Sequence, residues 1–360
     1  MTKVAHVVVA GEIGGAERML CDLASRPKDT KAEHVIALMT PNEALLQLFV
    51  KAGLRVHDRG RVREDPAAFL WRSLGPLDTS WLEGVLREER ADVIHLHTFG
   101  SQMIGTRAAK RVKARIVRTE HSTRVYDDPS CWPFSRWSLR RTDACIAISE
   151  HVRAVAISKA SWIASKTRVI HNGVDTAHFT PRSVTLPEAF TFVIVARLEA
   201  RKGVDLAIEA LREIPDAHLE VIGEGDERAS LDSLVSSNGM TERVRFHGQL
   251  EDTRPIVAGC HAALSSSRKE GLGNANLEAM AMARAVVSFP VGGVPEIVAD
   301  EETGFISREM TVRSLAERMR DAMGDRERTA SLGEAARAFV VERCSIEAMC
   351  RAYGDVYAPP

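Results

Sequence analysis

RKEGLGNANLEAMA, residues 268–281, is the stretch whose reading decides the fold. Two carboxylates, Glu270 and Glu278, flank a segment that opens glycine-rich (Gly271, Gly273) and continues in good helix formers (Ala275, Leu277, Glu278, Ala279, Met280, Ala281). The pattern predicts a loop running into a helix N-terminus. Glycines let the backbone approach a ligand, and first-turn amides have no intrahelical acceptors, so the segment offers an anion seat suited to phosphate. One carboxylate precedes the seat and the other lies a turn inside the helix, so a ligand crossing it meets a carboxylate at each end. A nucleotide sugar, with ribose hydroxyls, a diphosphate and sugar hydroxyls, has that shape. The plainer reading is a surface βα loop in which Glu278 only favours the helix dipole.

Outward from this stretch, the second half repeats one unit. Strand Phe190–Ala196 leads through RLEARKG (Arg197–Gly203) into helix Val204–Glu213. Arg197 and Lys202 bracket a loop at a strand's carboxyl end, where two cations hold a diphosphate and stabilise the charge that develops as it leaves; solvated loop cations are the alternative. Strand Leu219–Ile222 runs into Gly223-Glu224-Gly225, strand Val244–His247 into Gly248, strand Ala262–Leu264 into the 268–281 stretch, and Val291–Glu296 follows the next strand. Five such loops gather at one sheet edge, where open α/β sheets bind ligands.

The first half has the same alternation. Strand Val4–Ala10 passes through Gly11, Gly14 and Gly15 into a helix with apolar residues at Ala16, Met19, Leu20, Leu23 and Ala24. The glycine spacing departs from GxGxxG, so a dinucleotide fingerprint is weak. Strands His34–Met39, Leu54–His57 and Asp92–His97 alternate with helices Glu43–Ala52 and Ala67–Glu89, which implies a parallel sheet. His95 and His97 point to one side of their strand; with no third ligand in view, one packed histidine and one lining the cleft is expected rather than a metal pair. The run Arg107–Arg118 has six basic residues and no acid, and a helix presenting Lys110, Arg111 and Lys113 outward suits either anionic lipid or water. His121, at the end of strand Ile116–Thr119, is a candidate substrate contact, against the commoner structural histidine. WPFSRWSLRR (132–141) joins aromatics to arginines as an acceptor-facing or interfacial segment. Strand Ala144–Ile148, a helix capped by Ser149, strand Arg168–Ile170 and the turn Asn172-Gly173 close this half. The proline-bearing segment Asp175–Pro187 is the expected domain boundary, and the chain is helical after Thr311.

Composition narrows the class. Hydrophobic residues at 45% and charged residues at 27% of 360 give a chain with core enough for two domains and exclude a disordered one. No stretch reaches the roughly 20 apolar residues that span a bilayer, and the apolar run at Val4–Ala10 reads as a buried strand rather than a leader. The six scattered cysteines form no CxxC pair, which argues against a structural metal or disulfide framework and for a reducing cytoplasm. Residues 1–182 carry 28 Lys and Arg against 20 Asp and Glu, a balance of +8, while residues 183–360 carry 20 against 29, a balance of -9. The basic half suggests a phosphorylated acceptor or an anionic membrane surface, and solvated surface charge is the bland alternative.

Taken in order, RLEARKG, VIGEGDE (Val221–Glu227), RVRFHG (Arg243–Gly248), EGLGNANLEAMA (Glu270–Ala281) and VGGVPEIV (Val291–Val298) resemble, in order and spacing, the retaining glycosyltransferases of family 4, which have the GT-B fold. GEIGGAER, HLH, TEHS and HNGVD in the first half are similar to the same family, so the likeness covers nearly the whole chain. It implies two Rossmann-like, doubly wound parallel-sheet α/β domains facing across a cleft. An acceptor-binding domain would span 1–182, a nucleotide-sugar donor-binding domain 183–340, and a C-terminal helix within 341–360 would pack back on the first domain.

The resemblance further implies residue roles. Glu270, the first acid of the family's Glu-x7-Glu pattern, would bind donor sugar hydroxyls, with Gly271, Leu272 and Gly273 offering backbone amides and Glu278 holding the ribose. Arg197 and Lys202 would bind the diphosphate in place of a divalent metal. His121 would touch the donor sugar near the reacting carbon, and Gly14 and Gly15 would approach phosphate or acceptor. Gly248 and Gln249 would meet the base, and Asn274, where some relatives have proline, would read a substituent such as an N-acetyl group. The expected activity is transfer of a hexose or N-acetylhexosamine from a nucleotide sugar, UDP-linked before GDP-linked, to a hydroxyl of a glycan, glycolipid or small molecule, by front-face attack with the departing phosphate taking the acceptor's proton. No cofactor or metal and no nucleic acid is implied; the setting would be cytoplasmic, with peripheral membrane contact through the basic half. A sugar-nucleotide epimerase, an NAD-dependent dehydrogenase and a non-catalytic nucleotide-sugar binding module are the rival readings. The Glu-x7-Glu pattern speaks against the first and the missing fingerprint against the second.

Overall fold

The computed structural model describes residues 1–359 apart from 12, 41, 63 and 64, so Glu12 of GEIGGAER lies outside the described residues. The chain forms two compact units, Met1–Gly173 with Ile346–Pro360, and Val174–Ser345. The division at Gly173 precedes the segment 175–187 in which the sequence set it. The reason is pairing: Val174 N donates to Cys344 O at 2.9 Å, and Arg254 and Arg337 donate to the carbonyls of His178 and Phe179 at 3.2 Å each, so the proline-bearing segment is tied to the second unit.

Unit 1 holds seven parallel strands, β1 Thr2–Val8, β2 Ala32–Leu38, β3 Arg55–Asp58, β4 Val93–Leu96, β5 Arg115–Glu120, β6 Ala144–Ala147 and β7 Thr167–Val169, in the order β3-β2-β1-β4-β5-β6-β7. Val4, Ala5, Val7 and Val8 of β1 are all buried, so the strand carries apolar residues to both faces, as a sheet covered by helices on each side requires. Helix Gly15–Ala24 buries Met19, Leu20, Leu23 and Ala24, the spacing read from the sequence. Helix Ile346–Tyr357 covers the other part of the same core with Ile346, Met349, Tyr353, Val356 and Tyr357 against Val4, Val93, Val117 and Ile146.

Unit 2 holds six parallel strands, β8 Phe190–Val195, β9 Ala217–Ile222, β10 Val244–Phe246, β11 Ala262–Ser265, β12 Ala285–Ser288 and β13 Gly304–Ile306, in the order β10-β9-β8-β11-β12-β13. Both sheets therefore reverse direction once, between β1 and β4 and between β8 and β11. These are the two topological switch points, whose flanking loops diverge and leave a crevice at the carboxyl edge.

The basic run 107–118 is not one helix. Helix Phe99–Val112 ends there, Lys113 takes a left-handed conformation (φ 62°), and Arg115–Glu120 is β5. Lys110, Arg111 and Lys113 are exposed as expected, but Arg118 is fully buried because Glu120 pairs with its Nε and Ser135 Oγ accepts from Nη2 at 2.7 Å. WPFSRWSLRR is likewise absorbed into unit 1: Ser135, Ser138 and Leu139 are buried, and Arg136 and Arg140 stack on Trp162. All six cysteines are free thiols, five of them buried. Among the described residues no helix is long and apolar enough to cross a membrane.

Candidate active site

The switch point of unit 2 brings together the loop after β8 and the loop after β11, and with them two of the residues singled out in the sequence. Lys202 Nζ lies 2.5 Å from Glu270 Oε2, with the two side chains 18% and 13% exposed. Ser267 Oγ donates to the same Oε2 at 3.2 Å, and Oε1 takes no bond among the described residues. One carboxylate oxygen is thus fixed by two hydrogen bonds, and the other takes none among the described residues.

Backbone geometry holds the pair in place. Gly292 (φ +58°) comes from the loop after β12, and a Cβ there would stand 1.8 Å from Glu270 O. Gly203 (φ +63°) follows Lys202, and a Cβ there would stand 2.1 Å from Ser266 O. Only glycine permits both the left-handed angle and the approach. Arg268 bolts the two loops together with a bidentate pair to Asp205 (2.8 and 2.6 Å) and a bond to Ala200 O at 2.7 Å. Its hydrogen bonds hold the Asp205 carboxyl below the usual range.

Helix Asn274–Ala281 starts at Gly273, which takes a left-handed conformation (φ 100°) and has no side chain to cap the first turn. A hollow lined by Lys202, Ser266, Ser267, Glu270, Gly273 and Asn274 therefore faces an ammonium, a carboxylate and a helix N-terminus together. Glu278 lies half-buried a turn further on, and the Leu272 side chain is buried. Arg197 is on the same loop as Lys202 but pairs with Glu199 Oε1 at 2.8 Å. The loops after β9 and β10 join this edge through Leu198 N to Glu224 O (2.9 Å) and Gly223 N to Gly248 O (2.8 Å), with Gln249 next to Gly248.

At the carboxyl edge of unit 1, Glu17 Oε2 accepts from Gly14 N at 2.9 Å, fixing the turn that carries Gly14 and Gly15 into their helix. The histidines depart from the expectation of one packed ring and one lining a cleft, because both His95 and His97 are buried. A third histidine, missed in the sequence, lies beside them: β1 neighbours β4 and His6 is in register with His95. The three rings come close enough to hold a cation, but every ring nitrogen is already engaged. His6 bonds His97 (3.0 Å) and His34 (2.8 Å), His95 bonds Tyr357 Oη and Thr119 Oγ1 (2.8 Å each), and His97 bonds His121 (3.3 Å). Burial pushes the basicity of His6, His95 and His97 well below the ordinary range, with neighbouring rings adding to it, and lowers His34 and His121 to about 4. The missed signal was parity: His6 and His34 occupy interior positions of apolar strands, where an unpaired imidazole is costly.

Two family models cover almost the whole chain, glycosyltransferase family 4 over residues 13–178 and glycosyl transferases group 1 over residues 179–339. The lipopolysaccharide core biosynthesis glycosyltransferase LpsE of Rhizobium meliloti is 30% identical over 228 residues, 62% of this chain and 67% of that protein. The chain belongs to the group 1 glycosyltransferases of family 4. Human phosphatidylinositol N-acetylglucosaminyltransferase is likewise 30% identical, through one of its subunits, over 289 residues or 76% of this chain, and the chain spans 58% of the length of that polypeptide. Anabaena HepE, crystallised with UDP and glucose, has the same fold, with a TM-score of 0.84 over 99% of both chains at 21% identity. This group 1 glycosyltransferase thus has the two parallel-sheet, Rossmann-like GT-B domains that its motifs implied.

Proposed function

We propose that this chain transfers a hexose or N-acetylhexosamine from a nucleotide sugar to an acceptor hydroxyl, with retention and without a divalent metal. The observation that carries the reading is the Lys202–Glu270 pair beside the uncapped start of helix Asn274–Ala281, at the switch point of unit 2. On donor binding the pair separates. Glu270 takes sugar hydroxyls, while Lys202, with Arg197 and the first-turn amides, takes the diphosphate. As the bond from the anomeric carbon to the phosphate oxygen breaks, these fixed positive groups stabilise the charge on the departing nucleotide. The acceptor oxygen bonds the anomeric carbon from the same face, and its proton passes to the leaving phosphate. Glu278 holds the ribose, Gly248 and Gln249 meet the base, and Asn274 reads the sugar substituent; His121 is the candidate contact of the donor sugar, and Gly14 and Gly15 of phosphate or acceptor.

UDP-sugars come before GDP-sugars, in keeping with the UDP and glucose bound by HepE. The relatives named for lipopolysaccharide core and phosphatidylinositol support a glycan or glycolipid acceptor, and the first of them, from a bacterium, supports a place in bacterial glycan assembly. Exposed Lys110, Arg111 and Lys113 support a peripheral contact with anionic lipid, which cosedimentation with phosphatidylglycerol vesicles at low and high salt checks.

Calorimetry with UDP- and GDP-linked glucose, N-acetylglucosamine and mannose tests the donor, followed by nucleotide release for wild type, Glu270→Gln and Lys202→Ala. One donor is expected to bind, and Lys202→Ala to lower turnover by about 10²–10³-fold, the worth of a donor aimed at developing charge. No heat with any of the six, or wild-type turnover in both variants, removes the reading.

A further inference from the structure

We propose that Thr30 fixes which ring nitrogen of His121 carries the proton, acting through a chain of three further imidazoles, His6 and His97 buried and His34 partly so. The chain runs over four adjacent strands, from His34 on β2 and His6 on β1 to His97 and His121, which lie one residue past the carboxyl ends of β4 and β5. Thr30 Oγ1 lies 2.7 Å from His34 Nε2, His34 Nδ1 lies 2.8 Å from His6 Nε2, His6 Nδ1 lies 3.0 Å from His97 Nε2, and His97 Nδ1 lies 3.3 Å from His121 Nε2. Each link uses one nitrogen of each ring, so the His121 Nδ1 is the end of the line and has no partner among the described residues.

A neutral imidazole has one N–H and one lone pair. Burial keeps all four rings neutral at pH 7. Each of the four links needs one proton, and only two arrangements satisfy every link: all protons directed toward Thr30, supplied by the four rings, or all directed away from it, supplied by the Thr30 hydroxyl and the three rings before His121. Thr30 decides between them. Its hydroxyl also approaches two backbone carbonyls, Arg26 O at 3.2 Å and Pro27 O at 3.4 Å, which can only accept. If the hydroxyl proton went to His34, its oxygen would face both carbonyls lone pair to lone pair inside a buried site. With the hydroxyl donating to Arg26 O, Thr30 accepts from His34 Nε2–H, and each ring in turn must donate from Nε2. His121 is thereby held as Nε2–H, with an unprotonated Nδ1 at the carboxyl end of β5. The chain ends at a hydroxyl committed to a carbonyl rather than at water, so it sets a polarity and does not carry protons away.

The consequence deepens the glycosyl-transfer reading and rests on it. His121 presents an acceptor, suited to a sugar hydroxyl that donates, and not a proton donor suited to a phosphate oxygen. His34, His6 and His97 are positioning residues for it, and Thr30 is their anchor.

Long-range ¹H–¹⁵N NMR of the full chain, labelled at the histidine ring nitrogens and free of nucleotide sugar, reads the tautomer directly; a His121→Asn variant assigns the signal by its loss. His121 is expected as the Nε2–H form. In Thr30→Val the His34 Nε2 faces a methyl group, where a lone pair is less costly than an N–H, and the ratio of tautomers at His121 is expected to move by roughly tenfold toward Nδ1–H, the bias of one hydrogen bond. Thr30→Ser restores it. A wild-type Nδ1–H signal overturns the proposal without any variant, and so does a folded Thr30→Val whose His121 ratio is unchanged. Because no donor is present, either failure leaves the transfer reading untouched, and absence of donor binding leaves the tautomer result standing.

Discussion

At the scale of single residues, Glu270 is positioned more by what surrounds its backbone than by its own side chain. Its carbonyl sits where a Cβ on Gly292 would need to be, and Gly293 N donates to Gly271 O at 3.2 Å, so the VGGVPE loop is a mould for the carboxylate. Gly292→Ala is expected to destabilise by about 2 kcal/mol or more, left-handed strain plus a displaced loop, and to abolish donor binding. Gly53→Ala is the control: its φ is +76° with nothing within 4 Å, so only the roughly 1–2 kcal/mol of left-handed strain applies and donor binding is kept. Chemical denaturation with calorimetry on both variants decides, and equal binding by the two refutes the mould. Glu270, Lys202 and the glycines were legible because loop chemistry is local in sequence. The destination of Arg197 was not: its partner Glu199 lies two residues away, and nothing in RLEARKG says which cation turns to the neighbouring acid and which reaches across to position 270.

At the scale of elements, helix Ile346–Tyr357 follows unit 2 in sequence and belongs to unit 1 in space. Its period was readable, and its two tyrosines do more than fill the core. Tyr357 Oη bonds His95 Nδ1, Tyr353 Oη lies 3.3 Å from Thr119 Oγ1, and Gly354 lets the helix lie on the Thr30 carbonyl, where a Cβ would stand 2.5 Å away. Tyr357→Phe removes one buried hydrogen bond and leaves His95 Nδ1 unpartnered, an expected loss of about 1–3 kcal/mol. Tyr353→Ala opens a cavity in the core and is expected to cost about 3–5 kcal/mol. Urea unfolding of the two variants orders them, and a larger loss in Tyr357→Phe would show that the polar network outweighs packing here. No sequence pattern joins His95 to a tyrosine 262 positions on; only the sheet order, which places β4 under this helix, makes the pair. The same holds for the basic run at 107–118, where a charge count cannot see that a strand begins at Arg115 and buries Arg118 with Glu120.

For the molecule as a whole, the two units carry different chemistry and answer different perturbations. Unit 1 has five imidazoles, His6, His95 and His97 buried and His34 and His121 partly so, whose basicity burial lowers, while unit 2 has one such ring, His261, lowered to about 4 by burial with Arg326 and Arg284 adding to it. Below pH 6.5 the unfolded chain takes up protons on these rings that the folded chain refuses. The folded state binds fewer protons, so stability is full above about 6.5 and is lost as the pH falls toward about 4, at up to roughly 1.4 kcal/mol per unit for each ring that titrates only when unfolded. Acid should therefore loosen unit 1 well before unit 2. Nucleotide should do the converse: at about 100 times its dissociation constant UDP adds roughly 2.7 kcal/mol to the unit that holds it, and the Lys202–Glu270 site lies wholly within Val174–Ser345. Hydrogen exchange with mass spectrometry at pH 7 and pH 5, with and without UDP and referred to intrinsic rates at each pH, separates the two effects. Protection is expected to fall at pH 5 in peptides covering β1, β4 and β5 more than in those covering β8 and β11, and to rise with UDP in residues 196–203 and 266–281. If acid loosens both units alike, the buried histidines do not govern the acid limb; if UDP protects the β1 and β5 peptides as strongly as residues 266–281, the nucleotide is not seated where the paired Lys202 and Glu270 put it.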